Sequence, residues 1–430
     1  MVCTSAIASC TSNDSPNAGP QRATASADAA SHPTAPAPDP SRSTSAVSTE
    51  RPRAPQGGKE EEKPPPKPDI YDQATIPKFE LTLDDQAMAI LSATTRENKS
   101  TWVHGSFKFG SIVFANVGVR AKGGTTFRAL PAKSSLKVKF NKWVKGQKLY
   151  GLEELTLNNN VVDRNFLRQR ISYYIFGAMG LPASRANLAE LTINGENYGL
   201  YANVETPDDT FMARALGPNA TTLYEGHAPG TWLPGSGRWD IDIPAAGAPA
   251  GTKPDLDRLF QAVASASDEN LLADLDDHLH TKQWLRFCAT EALIGHTDGY
   301  AFSFWGSHNY YLAGDRDGKF KILPWSTDQA LHNHPSAVDA SKPSEEVVLA
   351  RCARSTACWD AYKAEMQSVL AVYETLDMVN LARQWHEQID VLARADPKRE
   401  VSTASYEIET ERLFAWLAGR PDLIRTQLGL

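Results

Sequence analysis

The segment 155–205, LTLNNNVVDRNFLRQRISYYIFGAMGLPASRANLAELTINGENYGLYANVE, decides the fold. Its first half predicts a helix of about four turns, with Asp163 as the N-cap and Gly180, shortly before Pro182, as the stop. The apolar positions of this helix are Phe166, Leu167, Ile171, Tyr174 and Ile175. Its second half predicts two strands joined at Asn194-Gly195, the strongest short hairpin signal. A helix that leads into a hairpin indicates a mixed fold.

Upstream of this segment, the apolar residues alternate with period two. In the run IPKFELTLDD, residues 76–85, the side chains of Phe79, Leu81 and Leu83 fall on one face. In SSLKVKF, residues 134–140, the apolar residues lie on one face and Lys137 and Lys139 on the other. Both runs are therefore expected to be strands with one buried face.

Downstream, the pattern changes to helices interrupted by one hairpin. Residues 255–294 and 359–430 have helical spacing, and residues 308–325 read as an aromatic strand, a turn and a buried strand. We expect an α+β fold, with a β-rich lobe at about 70–210, a helical lobe at about 211–430 and a cleft between them.

Residues 1–69 are dominated by Ser, Thr, Ala and Pro, and predict a disordered tether. Within them, IASC at 7–10 resembles the bacterial lipobox, which would make Cys10 a lipid anchor. Only nine residues precede Cys10, and they form no basic or apolar leader. Either the true start lies upstream of Met1, or the match is a coincidence.

Composition narrows the class of protein. The net charge of −7 argues against a nucleic-acid partner, which would favour a basic face. No apolar run approaches the roughly eighteen residues of a membrane span.

The cysteines and histidines allow simpler interpretations than a metal site. Cys352 and Cys358 flank a short loop and either form a disulfide or remain thiols, whereas Cys288 fits a core position. His308, His332 and His334 match no standard zinc pattern and are expected at the surface.

Two aspartates stand at the ends of separate elements. Asp298 follows an apolar helical run, and Asp328 follows the strand-like FKILPW at 320–325. Asn309 lies between them in HNYYL. Taken alone, each aspartate also fits an ordinary cap or turn residue.

From about residue 76 to residue 430 the chain resembles the CotH kinase family, the spore coat protein H-like atypical protein kinases. The resemblance rests on stretches that occur in the family's order. These are IPKFELTLD at 76–84, RAKGGTTFRALPAKSSLKVKF at 120–140, the segment 155–205, DGY with HNYYL, GKFKILPWSTDQAL at 318–331 and LFAWLAGRPDLIRTQL at 413–428. The resemblance implies a two-lobe kinase-like fold, ATP with Mg²⁺ or Mn²⁺, and transfer of the γ-phosphate to Ser or Thr of a protein substrate. It also implies a place outside the cytoplasm, in the envelope or secreted.

The resemblance also implies residue roles. Asp298 would act as the base or hydroxyl-positioning residue, and Asp328 and Asn309 would hold the metal. Lys137 would contact phosphates, with Lys139 competing for that role. Glu205 would lie near the nucleotide, and Arg168 would hold a phosphate or pair with a carboxylate. A structural salt bridge explains each of the two at least as well.

The chain departs from the family pattern at several positions. Ser326 replaces an acidic residue, Lys122-Gly123 replaces Arg-Gly, and Thr125-Thr126 replaces Ser-Ser. The lost carboxylate favours a second hypothesis, a non-catalytic surface module that binds or supports other components. A phosphotransferase acting on a glycan or a small molecule is a third.

Overall fold

The computed structural model describes residues 69–332, 338–345 and 347–430. Cys10 and nearly all of the predicted tether lie outside the described residues. No helix in the described ranges is long and apolar enough to cross a membrane.

In the described residues, seven strands form a closed barrel in the order β1-β2-β3-β4-β5-β7-β6. The strands are β1 (Lys78–Thr82), β2 (Val103–Phe109), β3 (Ile112–Lys122), β4 (Ser135–Lys139), β5 (Glu154–Asn158), β6 (Ala186–Ile193) and β7 (Glu196–Glu205). Neighbouring strands pair antiparallel, except that β1 and β6 pair in parallel and so close the barrel.

The alternating patterns explain which faces of these strands are buried. Phe79, Leu81, Leu136 and Val138 are each at most 1% exposed, as their period-two spacing predicts. The predicted turn at Asn194 and Gly195 joins β6 to β7, and both residues have positive φ, as a tight hairpin turn requires. The apolar side chains inside the barrel form one of two hydrophobic cores.

The helices are α1 (Asp85–Ser92), α2 (Arg168–Ala178), α3 (Asp209–Ala215), α4 (Pro254–Ser265), α5 (Leu271–Leu275), α6 (Thr281–Ile294), α7 (Val348–Cys352), α8 (Thr356–Thr375), α9 (Met378–Ala395) and α10 (Thr403–Leu428). Helix α1 buries Ala87 and Leu91 in the barrel core, and the helices from α2 onward pack around the second core. Cys352 and Cys358 form a disulfide between α7 and α8. Cys288 is buried in α6, as predicted.

Helix α2 begins later than the sequence predicts. Phe166 has a φ of 64°, a left-handed backbone that cannot continue a helix, so the helix starts at Arg168 and not directly after Asp163. Asp163 still serves the helix end, because its Oδ2 accepts a 2.9 Å hydrogen bond from the backbone N–H of Arg168. The prediction of Asp163 as the N-cap was therefore wrong in position.

The lobe after residue 211 is less helical than expected. In the described residues it contains a four-stranded antiparallel sheet, ordered β11-β10-β8-β9. Its strands are β8 (Ala220–His227), β9 (Arg238–Ile243), β10 (Tyr310–Asp315) and β11 (Phe320–Pro324). The β10–β11 hairpin was predicted, but β8 and β9 were not. Both strands are short and flank a segment rich in Gly and Pro, a composition that predicts a loop and not a strand.

Candidate functional site

A cavity of about 700 Å³ lies between one face of the barrel and the loops that follow α6 and β11. Barrel residues supply one wall, and the loops supply Asp298, His308, Asn309, Ser326, Asp328 and Gln329. The barrel wall consists of Lys122, Gly123, Gly124, Thr125, Thr126, Ser135, Asn158 and Asn159. The structure thus brings together three residues predicted from separate sequence stretches, Asp298, Asn309 and Asp328.

The carboxylate of Asp298 is fixed by three side chains. His308 Nε2 lies 2.8 Å from its Oδ1. Asn309 Nδ2 donates to its Oδ2 at 2.9 Å and to its backbone oxygen at 2.8 Å, and Gln329 Nε2 donates to Oδ2 at 3.3 Å. Contacts from three side chains and to both oxygens keep this carboxylate in one orientation.

His308 differs from the surface histidine expected from the sequence. Its Nδ1 lies 2.6 Å from the backbone oxygen of Gly306, so both ring nitrogens face oxygen acceptors. Burial opposes the charged ring, but the hydrogen bond and charge of Asp298 and the Gly306 carbonyl outweigh it and raise the pKa of His308. Both contacts therefore favour the protonated form of the His308 ring. His332 contacts Thr297 Oγ1 at 3.3 Å, and His334 lies outside the described residues.

A second, buried carboxylate shapes the loop that carries Asp298. Glu291, near the end of α6, accepts hydrogen bonds from the backbone N–H groups of Tyr300 at 2.7 Å and Ala301 at 2.6 Å. A Cβ at Gly299 would lie 2.0 Å from Oε1 of Glu291, so only glycine leaves room for this carboxylate. Glu291 therefore positions the loop without entering the cavity. The sequence offered no separate signal for this role.

Asp328 lies in a short 3-10 helix, Thr327–Gln329, that follows β11. The Ser326 hydroxyl donates a long hydrogen bond of 3.4 Å to Oδ1 of Asp328. Burial, and then the charge of Asp298, raise the pKa of Asp328. A desolvated carboxylate with one weak donor and a second carboxylate nearby has the character of a divalent cation ligand.

These residues fit a magnesium or manganese ion. Mg²⁺ prefers oxygen ligands and usually takes one or two carboxylates from the protein. Asp328 can supply one, and the amide oxygen of Asn309 remains for the metal because its Nδ2 is the atom that binds Asp298. Ser326, where the family pattern has an acid, contributes a hydroxyl in place of a charge.

Lys122 is the cation of this cavity that the sequence analysis did not select. It ends β3, and its Nζ contacts Asn158 Oδ1 at 2.6 Å and lies 5.6 Å from the ring centre of Trp325. Burial, followed by the nearby charge of Lys137, lowers the pKa of Lys122 to about 8. In the sequence, Lys122 directly precedes the Gly123-Gly124 turn, but that position alone does not show that its side chain faces a cavity.

The remaining predicted residues do not line this cavity. Lys137 lies on the barrel face beside it, where its Nζ binds Glu154 at 2.6 Å, and Lys139 pairs in register with Glu154. Arg168 is buried between Asp163 at 4.0 Å and Glu409 at 3.3 Å. Glu205 is buried between two guanidinium groups. Its oxygens lie 2.9 Å from Arg185 and 2.5 Å from Arg214. For Arg168 and Glu205 the structure thus shows the ion pairs that the sequence left as the alternative.

A family model described as CotH kinase protein matches residues 119–424. Inner spore coat protein H of Bacillus subtilis (strain 168) is 20% identical over 296 residues, which cover 65% of this chain and 80% of that protein. Inner spore coat protein H-like protein of the same organism is 22% identical over 284 residues, 65% of this chain and 82% of that protein.

Two solved structures are also similar. The Helicobacter pylori proinflammatory kinase CtkA is 13% identical, with a TM-score of 0.32 over 72% of this chain and 93% of that one. HipA from Shewanella oneidensis MR-1, solved with HipB and operator DNA, is 13% identical. Its TM-score is 0.29, and the match covers 71% of this chain and 68% of that one. Both scores are too low to support any conclusion about this chain.

Proposed function

The chain belongs to the CotH kinase protein family, and on that premise we propose that it is an atypical kinase that transfers the γ-phosphate of ATP to a Ser or Thr hydroxyl of a protein. The observation that carries the proposal is the meeting of Asp298, Asn309 and Asp328 in one cavity with Lys122 on its opposite wall. Phosphoryl transfer requires mainly that phosphates, metal and hydroxyl be held in place, and this set of groups suits each task.

In this mechanism, Asp298 accepts the proton of the attacking hydroxyl. The new bond joins the hydroxyl oxygen to the γ-phosphorus, the bond between that phosphorus and the bridging oxygen breaks, and ADP leaves. His308 and Asn309 keep the carboxylate in one orientation during this step. A divalent cation, when bound, would neutralise charge on the phosphate oxygens. Asp328 and Asn309 would hold it.

The phosphates would be bound from the barrel side. Lys122 presents a buried ammonium group to the cavity, and the glycines at 123 and 124 bring backbone N–H groups to its wall. Lys137 lies on the same barrel face as Lys122, and we propose that it adds positive charge near the phosphates while Glu154 orients it. A lysine used in this way acts as a point charge.

Ser326 supports a competing proposal, that the chain is a non-catalytic surface module. With a serine at this position, the loop after β11 brings one carboxylate, Asp328, to the cavity. One fewer carboxylate weakens the attraction for a divalent cation. The names of the two Bacillus relatives support a surface or spore-coat location for either version of the proposal. Lipid attachment at Cys10 and placement in the envelope or outside the cell are part of the same proposal.

The test is transfer of radiolabelled γ-phosphate by the full chain, with Mg²⁺ and with Mn²⁺, to itself and to a mixture of envelope proteins. We expect label on Ser or Thr that disappears in both Asp298→Asn and Asp328→Asn. Label found on a glycan or a small molecule would keep the enzyme and replace its substrate. Absence of transfer and of ATP binding in calorimetry would support the non-catalytic module.

A further inference from the structure

A second and larger cavity lies beside the C-terminal half of α2. Its volume is about 810 Å³, and it shares no lining residue with the cavity that contains Asp298. The C-terminal half of α2 and the segment after it form one wall, with Leu181 and Pro182 as apolar contacts. Arg214 and Lys321 contribute from other elements. Nothing in the proposed phosphotransfer uses this cavity.

Several hydrogen-bond donors at this cavity lack acceptors. The Ser184 hydroxyl, the Tyr71 hydroxyl and Arg185 Nε are buried, and in the described part of the chain they have no hydrogen-bond partner. Ser184 is 3% exposed and Tyr71 is 4% exposed, so both side chains are more than nine-tenths buried where they line the cavity. Leaving a buried donor unpaired is costly, and native structures contain few such groups. A ligand that carries acceptor oxygens would satisfy them.

The charges around the cavity point to the same kind of ligand. Arg185 and Arg214 share the carboxylate of Glu205, and Arg185 also lies 3.4 Å from Asp69. Lys321 lines the cavity and forms no ion pair with any described residue. The residues that line the cavity thus include three cations and no carboxylate, although Glu205, Asp69 and Asp208 lie nearby and offset part of this charge. A lining that combines buried donors with cations favours an anion.

We propose that this cavity binds a small organic anion. Its phosphate or carboxylate group would accept hydrogen bonds from Ser184 and Arg185 and face Lys321, and its apolar body would pack against Leu181 and Pro182. Ligand pockets of this kind combine apolar walls with a few convergent polar groups, and their volumes are about 300–1,000 Å³. A cavity of about 810 Å³ is larger than a bare inorganic anion can fill.

The test uses calorimetry on the full chain without ATP or metal, so its result is independent of phosphotransfer. The probes are phenyl phosphate, benzoate and the uncharged control phenol. We expect at least one of the two anions to bind and phenol not to bind. Binding of phenyl phosphate alone identifies a phosphate site, and binding of benzoate identifies a carboxylate site. If neither anion binds, or if phenol binds equally well, the proposal is wrong.

Two variants locate the binding. Gly177 lies on α2 at the cavity, and a Cβ there meets no atom within 4 Å, so Gly177→Trp fills the cavity without a clash at the backbone. Its matched control is Gly419→Trp, at an exposed glycine of α10 with equally open surroundings. We expect Gly177→Trp to abolish anion binding and Gly419→Trp to preserve it. Equal binding by both variants would overturn the proposal.

Substitutions of two lysines test the role of positive charge in anion binding and the location of the bound anion. Lys321→Ala should weaken anion binding about tenfold through loss of one charge-assisted contact, and Lys321→Arg should restore most of it. Lys122→Ala should leave the binding unchanged. Loss of binding in Lys122→Ala, together with normal binding in Gly177→Trp, would place the anion in the cavity of Asp298 and would refute a second site.

Discussion

His308 Nε2 lies 2.8 Å from Oδ1 of Asp298, so a histidine next to the proposed metal ligand Asn309 holds the proposed base. We expect His308→Ala to lower kcat about tenfold with little change in the KM for ATP, because the carboxylate loses one of its three donors but keeps its charge. Asp298→Ala should lower kcat by about 10²–10⁴, the usual contribution of a general base. Steady-state phosphotransfer assays measure both. Equal losses in the two variants would show that His308 does more than position Asp298.

The buried ammonium of Lys122 gives ATP binding a pH dependence. Burial lowers the pKa of Lys122 to about 8, so its positive charge is lost as the pH rises above 8. We expect the KM for ATP to rise between pH 8 and pH 9.5. Lys122→Arg keeps its charge over this range, and its KM should stay flat. The same rise in the arginine variant would assign the pH dependence to another group.

Space at Gly299 limits the loop that carries Asp298. A Cβ there would lie 2.0 Å from Oε1 of Glu291, a carboxylate that is 0% exposed and binds two backbone N–H groups. We expect Gly299→Ala to lower the free energy of unfolding by about 1–3 kcal/mol, as overpacking does, and to reduce phosphotransfer. Urea denaturation measures the first effect. The control Gly419→Ala, in an exposed part of α10, should instead stabilise by about 0.5–1 kcal/mol.

A buried ion pair fastens the β3–β4 loop to the connection between α9 and α10. The side chains of Lys133 and Asp396 are 2% and 0% exposed and contact each other. Lys133→Met leaves a buried carboxylate without its cation and should cost about 3–5 kcal/mol of unfolding free energy. Lys133→Met combined with Asp396→Asn should cost less, because no charge remains.

The surface pair of Lys108 and Glu80 provides the comparison for that measurement. Its side chains are 47% and 51% exposed at a distance of 2.7 Å. Lys108→Met should change the unfolding free energy by at most about 1 kcal/mol. A similar cost for Lys133→Met would mean that the buried pair is not essential to the fold.

The buried carboxyl group of Asp163 makes the free energy of unfolding depend on pH. Burial raises the pKa of Asp163 from its ordinary 3.8 to about 6, although Arg168 opposes the rise. The folded protein therefore binds this proton more tightly than the unfolded chain, and stability falls as the pH rises from about 4 to about 6. Asp163→Asn should remove this loss and gain about 3 kcal/mol above pH 6, at about 1.4 kcal/mol for each unit of the pKa rise. Parallel unfolding curves of both proteins at pH 4 and 7 decide the matter, and an unchanged difference between them would contradict the prediction.

Local sequence patterns predicted individual strands and hairpins, but not how the strands close into a barrel. The alternation of Leu136, Val138 and Phe140 identified β4, and Asn194-Gly195 identified the β6–β7 hairpin. The parallel pairing of β1 with β6 joins residues such as Phe79 and Leu191, which are far apart in sequence. No periodic pattern encodes that partnership, because it depends on which edge remains unpaired after the other strands have assembled.

The candidate site also contains residues that the sequence predicted and residues that only the tertiary structure identifies. The three residues that came from family motifs, Asp298, Asn309 and Asp328, meet in one cavity. His308 and Lys122 were missed because their surroundings are set by tertiary contacts. Lys122 binds Asn158 on β5, across the intervening strand β4. Sequence spacing carries no trace of such a contact.

Barrel closure also bears on how copies of this protein behave when they are crowded together. A strand with an unpaired edge can recruit a strand from a neighbouring molecule, and a closed barrel has no such edge. In the four-stranded sheet, the outer edge of β11 is covered by Gln283, whose amide bonds both the N–H and the oxygen of Ile322. The outer edge of β9 is short and carries Arg238, Asp240 and Asp242. In the part of the chain that the structure describes, the sheets therefore offer a neighbouring copy no long, uncharged and uncovered edge to which it could add a strand.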